Sequence, residues 1–187
     1  RFKKLVINTD SNKIQKLATK RYGPWVHIIQ RPQYLIGDNI SMNKIIKYDI
    51  KLLGLDNNYF QTHSTNPFLK LSTIKKAVKI YLEGINEKKF DSIFSVNEIN
   101  TRLYTQNIKP LNHNPSRLRK TQDLKPLYEE NSNFYIFSGK SFMQNKHRIG
   151  KKPCTYIIKD NKIESMDIDD KYDMQLAKII STNLKLL

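Results

Sequence analysis

Near the C-terminal end, Ser165-Met166-Asp167-Ile168-Asp169-Asp170 sets two carboxylates at i and i+2. In an extended segment side chains alternate between faces, so Asp167 and Asp169 point one way while Met166, Ile168 and Asp170 point the other. Two carboxylates on one face suit a hard cation. Mg²⁺ takes one or two protein carboxylates and completes its shell with waters and substrate phosphates, so this spacing offers the handling of a phosphorylated substrate. The same residues can serve a plainer end. Asp170 stands where an acidic turn would cap a helix from Lys171 onward, in which Met174, Ala177 and Ile180 share a face. Taken alone, D-x-D spacing favours that plainer reading.

The elements that must position the pair come in an alternating order. Leu5-Val6-Ile7-Asn8-Thr9-Asp10 is expected as a buried parallel strand whose C-terminal end faces a ligand crevice. Asp10 or Ser11 starts a helix with Ile14, Leu17 and Ala18 on its inner face, stopped by Tyr22-Gly23-Pro24. A strand over 25–29 completes a βαβ unit. After a loop at 38–42 comes a helix bearing Ile45, Ile46, Ile50, Leu52 and Leu53. A short strand at 59–63 runs into the polar turn 64–68, and a helix from Ser72 carries Ala77, Val78, Ile80, Tyr81 and Leu82 as far as Gly84. With a strand at 90–96, this alternation predicts an open, mostly parallel α/β sheet. Helical periodicity then lapses over 97–119, where Pro110, Asn112, Asn114 and Pro115 mark loops or a hairpin. Strands are expected again at 133–137, 156–158 and 163–168, the last delivering the aspartate pair to the final helix.

Composition narrows the class. At 187 residues without internal repeats, the chain is expected to form a single domain, 1–187. No apolar run approaches membrane-spanning length, and Arg1-Phe2-Lys3-Lys4 lacks the apolar stretch of a signal peptide, so no membrane partner is expected. Cys154 is the only cysteine, which excludes an intramolecular disulfide and a thiol zinc cluster and fits a reducing, cytoplasmic setting. The net charge of +16, from 33 Lys and Arg against 17 Asp and Glu, raises the alternative of a basic nucleic-acid-binding module. That class is disfavoured, because the basic residues are scattered through nearly every segment. Lys, Asn, Ile and Tyr are abundant together, as AT-rich coding would produce. A nucleic-acid site would also give Asp167 and Asp169 no role, since without a metal they repel phosphate. A cleft drawing in a nucleotide triphosphate and an acidic sugar would use the same positive field.

Several motifs stand in a fixed order: Ile7-Asn8-Thr9-Asp10; Thr62-His63-Ser64-Thr65-Asn66-Pro67-Phe68; Arg119-Lys120-Thr121-Gln122-Asp123-Leu124 through Tyr128-Glu129-Glu130-Asn131-Ser132-Asn133-Phe134-Tyr135; and Asp167-Ile168-Asp169. Together they resemble the acylneuraminate cytidylyltransferase family, which makes CMP-activated sialic and related sugar acids. The third is the most specific, being a long polar string without periodicity that a plain core would not require. The resemblance implies a Rossmann-like α/β fold of the nucleotide-diphospho-sugar transferase type. It also implies a homodimer whose dimerisation segments lie near 97–119 and 138–159. The implied reaction joins CTP and a nonulosonic, sialic-acid-like sugar into the CMP-sugar and pyrophosphate, with Mg²⁺ as cofactor on Asp167 and Asp169.

Carried over residue by residue, the resemblance implies substrate binding by His63, Thr65, Gln122, Asn131 and Tyr135. It also leaves Arg117, Arg119 or Lys120 to pair with the sugar carboxylate, without choosing among the three. The plainer alternatives are a core-facing Tyr135, a solvated loop at 117–120 and a His63 satisfied by backbone. Two departures stand out. Many family members carry glutamine where His63 aligns, which leaves the identity of the acid open. The family's A-R-x-G-S-K-type nucleotide loop has no counterpart here, so an N-terminally incomplete or inactive chain is expected, with a strand missing between those at 5–8 and 59–63. A transferase for 3-deoxy-manno-octulosonic acid is the alternative within the same fold.

Overall fold

In the computed structural model, which describes residues 2–117, 119–159 and 163–183, the apolar run after Lys4 forms β1 (Leu5–Thr9). It lies parallel to β2 (Val26–Gln30), from Leu5↔Val26 to Thr9↔Gln30. Between them runs α1 (Asn12–Tyr22), whose first turn is capped by Ser11 Oγ and whose end is turned by Gly23 at φ +55°. That angle suits a residue without Cβ. Pro24 then holds Trp25 in a short 3-10 turn, so the strand starts one residue later than expected. The inner face of α1 also departs from expectation: Ala18 is buried, whereas Ile14 and Leu17 stay exposed. A two-stranded layer is too narrow to cover the whole apolar row.

The second sheet contains β3 (Asn58–Thr62), β4 (Ser92–Ile99), β5 (Leu127–Ser138) and β6 (Pro153–Ile157) in the order β3-β5-β4-β6. β5 is antiparallel to both β3 and β4, while β6 is parallel to β4, so β5 alone runs against the other three. The class is therefore α/β with a mixed open sheet. Both faces are covered, and the alternation of β5 divides the core. Phe134 and Ile136 join Ile93 and the residues Ala77 and Tyr81 of α3 (Leu71–Asn86). Tyr135 and Phe137 point the other way, onto Ile46 and Ile50 of α2 (Met42–Leu53) and onto Phe142. Phe142 belongs to α4 (Gly139–Asn145), a short helix not anticipated, capped by Ser138 Oγ. α3 passes through Gly84 rather than stopping there. A Cβ at Gly84 would sit 2.0 Å from the Phe90 ring, so this glycine serves a close approach and not a helix end.

Three boundaries move for physical reasons. The strand expected at 133–137 begins at Leu127, because Leu127, Tyr128, Glu129 and Glu130 pair with β4 residues from Ile99 back to Val96. Beyond Ile99 the chain forms a hairpin-like excursion bridged at Tyr104↔Pro110. The expected strand at 163–168 is absent from the ladders. Met166 N–H instead donates to Ile163 O at 3.1 Å in a turn, and the stretch is held by side chains and one backbone bond. Buried Glu164 draws it in: its carboxylate accepts from Lys70 N–H at 3.0 Å and its carbonyl from Asn133 Nδ2 at 2.7 Å. The chain ends its described part in α5 (Lys171–Asn183), where Ala177 is buried but Met174 stays exposed. Among the described residues, β1 pairs only with β2 and β3 only with β5, so each keeps one open edge. The ring of Phe2 meets that of Phe60, in β3, at 5.6 Å.

Candidate active site

The polar string of the third motif forms an irregularity in β5. The register against β4 shifts between Phe94↔Tyr135 and Val96↔Glu130, and Ser132 takes a left-handed φ of +56°. Asn131 locks this bulge. Its Oδ1 accepts from Ser95 Oγ at 2.6 Å and from Asn133 N–H at 3.2 Å, and its Nδ2 donates to Asn97 Oδ1 at 2.9 Å. The amide is thus used inside the chain. Such a bulge re-aims the side chains beside it.

Tyr135 is the side chain so aimed. It is buried, lies opposite Gln61 of β3, and its hydroxyl contacts Glu130 and Ser132 and accepts from Arg148 Nη2 at 3.0 Å. Burial, aided by the bond to Glu130, pushes the phenol up to about 12, so it stays protonated and donates to that carboxylate. The Arg148 guanidinium lies 3.6 Å from the centroid of the same ring. Its Nη1 donates to Gln61 Oε1 at 2.9 Å and stands 3.4 Å from His63 Nε2.

This fixes His63 as well. Because Gln61 Oε1 is taken by Arg148, its Nε2 faces His63 Nε2 at 3.0 Å. Both groups at that ring nitrogen are donors, so His63 is neutral with its proton on Nδ1. Burial, and next the charge of Arg148, lower its pKa from 6.5, against an opposing pull from Asp167.

The charge of Asp167 is felt at His63 because its segment lies along the turn after β3. Ile168 N–H donates to Thr65 O at 3.0 Å, and Asn66 Nδ2 donates to Met166 O at 3.2 Å. The structure therefore brings Asp167, His63, Thr65 and Tyr135 into one neighbourhood, whereas the Asn131 side chain is bonded, among the described residues, only to Ser95, Asn97 and Asn133 within the bulge. Asp167 Oδ1 accepts from its neighbour Ile168 N–H at 3.0 Å, and Asp169 is exposed, with no described side-chain partner for its carboxylate. Asp170 does the capping: it accepts from Tyr172 and Asp173 N–H, while Asp173 returns a bond to the Asp169 and Asp170 amides. The cap and the D-x-D pair are thus separate residues. Among the described residues no group of three or more His, Cys, Asp or Glu could cage a metal. Two carboxylates not neutralised by any described cation fit Mg²⁺ that brings its own waters and phosphates.

The other predicted residues stand apart. Arg117 and Arg119 line a separate depression with His113, Asp123 and Lys125, and Arg119 O accepts from Arg102 Nη2 at 2.6 Å. Lys120 is exposed just before the 3-10 turn Thr121–Asp123, and Gln122 is exposed within it. No described hydrogen bond or ion pair joins any of the four to His63, Tyr135 or Arg148. Arg148 is what the sequence reading passed over. It sits among Lys146, His147, Lys151 and Lys152, where nothing in spacing separates it from a solvated basic stretch.

Its loop is nonetheless tied down. Gly150 N–H donates to Ser92 Oγ at 2.8 Å, and Lys151 and Lys152 N–H donate to Asp91 Oδ2 at 2.8 and 3.2 Å. A Cβ at Gly150 would fall 2.1 Å from Asp91 Oδ1, so only glycine permits this approach.

Comparison with known proteins gives the family. The family described as Cytidylyltransferase matches residues 1–184. The chain is 26% identical over 185 residues to an N-acylneuraminate cytidylyltransferase of Escherichia coli O18:K1:H7 (strain RS218 / NMEC), covering 94% of this chain and 41% of that protein. It is 22% identical to post-translational flagellin modification protein B of Campylobacter coli, covering 96% of this chain and 77% of that protein. It thus spans less than half the length of the E. coli relative. Among solved structures, a 4-diphosphocytidyl-2C-methyl-D-erythritol synthase from Anaerococcus prevotii DSM 20548 is similar with a TM-score of 0.64 at 9% identity, over 97% of this chain and 82% of the other. A CMP:2-keto-3-deoxy-manno-octonic acid synthetase complexed with CTP follows with a TM-score of 0.56 at 9% identity, over 98% and 82%. These two structures bear on the fold alone. The match over nearly every residue places the chain in the cytidylyltransferase family.

Proposed function

We propose that the protein transfers CMP from CTP to a sialic-acid-like nonulosonic acid and releases pyrophosphate. What carries this reading is the run of neighbours from Asp167 through His63 and Arg148 to Tyr135. It sets a carboxylate suited to a phosphate-bound cation beside cationic and neutral hydrogen-bonding groups suited to an acidic sugar. The substrate class is carried over from the E. coli relative, an N-acylneuraminate cytidylyltransferase by name.

Asp167 and Asp169 would hold Mg²⁺. Bound there, the ion neutralises charge on the triphosphate and on the departing pyrophosphate. The protein's own part is positioning: the sugar's anomeric hydroxyl is presented to the α-phosphorus, its oxygen forms the new O–P bond as its proton passes to water, and the bond from the α-phosphorus to the β-phosphate oxygen breaks, that oxygen leaving with pyrophosphate. Neutral His63 and Gln61 offer hydrogen bonds without adding charge.

Homodimerisation belongs to the same proposal. Tyr104, Ile108 and Leu111 on the excursion after β4 are all exposed, and a second copy would cover them.

The test is pyrophosphate release by the natural protein containing this chain, with CTP and either N-acetylneuraminate or 3-deoxy-manno-octulosonate. Release that requires one of the acids supports the reading, and preference between them decides the substrate. No release with any sugar acid, together with tight nucleic-acid binding, would return the basic binding module.

A further inference from the structure

We infer that Arg148, held by Tyr135 and Gln61, binds the substrate's carboxylate and so restricts the site to sugar acids. The inference rests on the transferase reading above and gives it a specificity residue.

The argument begins with charge. The Arg148 side chain is only 14% exposed, and a guanidinium kept so far from water requires compensation. Among the described residues it finds little. The carboxylate paired with it, Glu130, lies 3.9 Å away, is itself 44% exposed, and already takes the Tyr135 hydroxyl. The donors tell the same story. A guanidinium has five N–H groups in a planar fork, and the close bonds described here go to Gln61 Oε1 and Tyr135 Oη, with a longer approach to His63 Nε2. A planar anion would complete both the charge and the fork, and a carboxylate matches it bidentately.

The setting is built for that task. The ring of Tyr135 supports one face of the guanidinium, and the bonds from Asp91 and Ser92 to the Gly150–Lys152 backbone fix the loop that carries it. A rigid, part-desolvated cation selects by charge more sharply than a mobile one on a solvated surface. Arg117, Arg119 and Lys120 are of the latter kind: exposed, with no described bond into the group around His63. Asp167, beside His63, puts the phosphate-handling end of the site next to this cation, which is where an acid being joined to a nucleotide must lie.

The test uses the natural protein containing this chain and compares kcat/KM for N-acetylneuraminate, or for 3-deoxy-manno-octulosonate if that is the acid turned over, with kcat/KM for its C1 amide. Wild type, Arg148→Gln and Arg148→Lys are measured at saturating CTP. The acid-to-amide ratio cancels the fraction of active enzyme, so partial misfolding does not disturb it. Equilibrium binding of acid and amide supplies the ratio where turnover is too slow. Wild type is expected to favour the acid by about 100-fold or more, and Arg148→Gln by about tenfold or less. The loss should appear as a raised KM for the acid with KM for CTP unchanged, and Arg148→Lys should fall between. Ratios unchanged in both variants would overturn the inference while leaving the transferase reading in place. A wild type that transfers CMP to no sugar acid would remove both.

Discussion

Arg148 lies over the face of Tyr135, 3.6 Å from the ring centroid, and also donates to that tyrosine's own hydroxyl at 3.0 Å. Tyr135→Phe separates these two contacts. The ring still supports the guanidinium, but Arg148 and Glu130 lose the hydroxyl between them. The expected cost is about 1 kcal/mol of stability, because the ring packing survives and one hydrogen-bonding group is lost. A several-fold rise in KM for the sugar acid should accompany it. Thermal unfolding and steady-state kinetics check this, and an unchanged KM would show that the hydroxyl does not orient Arg148.

His63 makes stability depend on pH. Its folded pKa lies below the ordinary 6.5, so the unfolded chain binds the proton more readily than the folded one. The stabilisation is complete above pH 6.5 and is lost as the pH falls from there toward the folded pKa. His63→Gln removes the titration and keeps a hydrogen-bonding group at that place. Denaturant midpoints at pH 7.5 and pH 5.5 should therefore fall further apart for wild type than for His63→Gln. Equal differences would mean that the ring is not held neutral by Gln61 and Arg148.

Asn131 tests the bulge. Alanine there would strip buried Ser95 Oγ and Asn133 N–H of a shared acceptor, and a cost of about 2–3 kcal/mol is expected. A chemical-denaturation curve measures it. A change under about 0.5 kcal/mol, the size of an ordinary surface substitution, would show that the bulge holds without its amide.

Gly150→Ala acts on the Arg148 loop from behind. The added methyl meets the Asp91 carboxylate that anchors the loop, so the loop must shift. Stability should fall by about 1–3 kcal/mol, as overpacking usually costs. The KM for the sugar acid should rise although residue 150 is not placed in contact with substrate. A stability loss with unchanged KM would show that Arg148 does not depend on this anchor.

Much of the α/β order was legible because it rests on local rules. Ser11 and Ser41 cap the helices that follow them, and the apolar runs of β1 and β4 need no partner to be recognised. The polar string from Tyr128 to Tyr135 also announced something other than a plain core, and the bulge accounts for it.

What escaped depends on contacts between distant residues. β5 lies between β3 and β4 and runs antiparallel to both, a pairing of distant segments that no periodicity reveals. The stretch expected as a strand at 163–168 looked extended, but buried Glu164 and the amides of Asn66 and Asn133 hold it outside the ladders. Arg148 was hidden for a similar reason. Its importance comes from Gln61, 87 positions away, and from Tyr135 on another strand, while its sequence neighbours are ordinary surface charges.

The central claim is tested most directly by pyrophosphate release from the natural protein containing this chain, supplied with CTP, Mg²⁺ and the sugar acid, for wild type and Asp169→Asn. Asp169 is exposed and its side chain has no described partner, so the variant should unfold within about 0.5 kcal/mol of wild type. The account predicts release that needs CTP, metal and acid together and that falls by about 100-fold or more in the variant. Release that proceeds without the acid, or at the wild-type rate in Asp169→Asn, would contradict it.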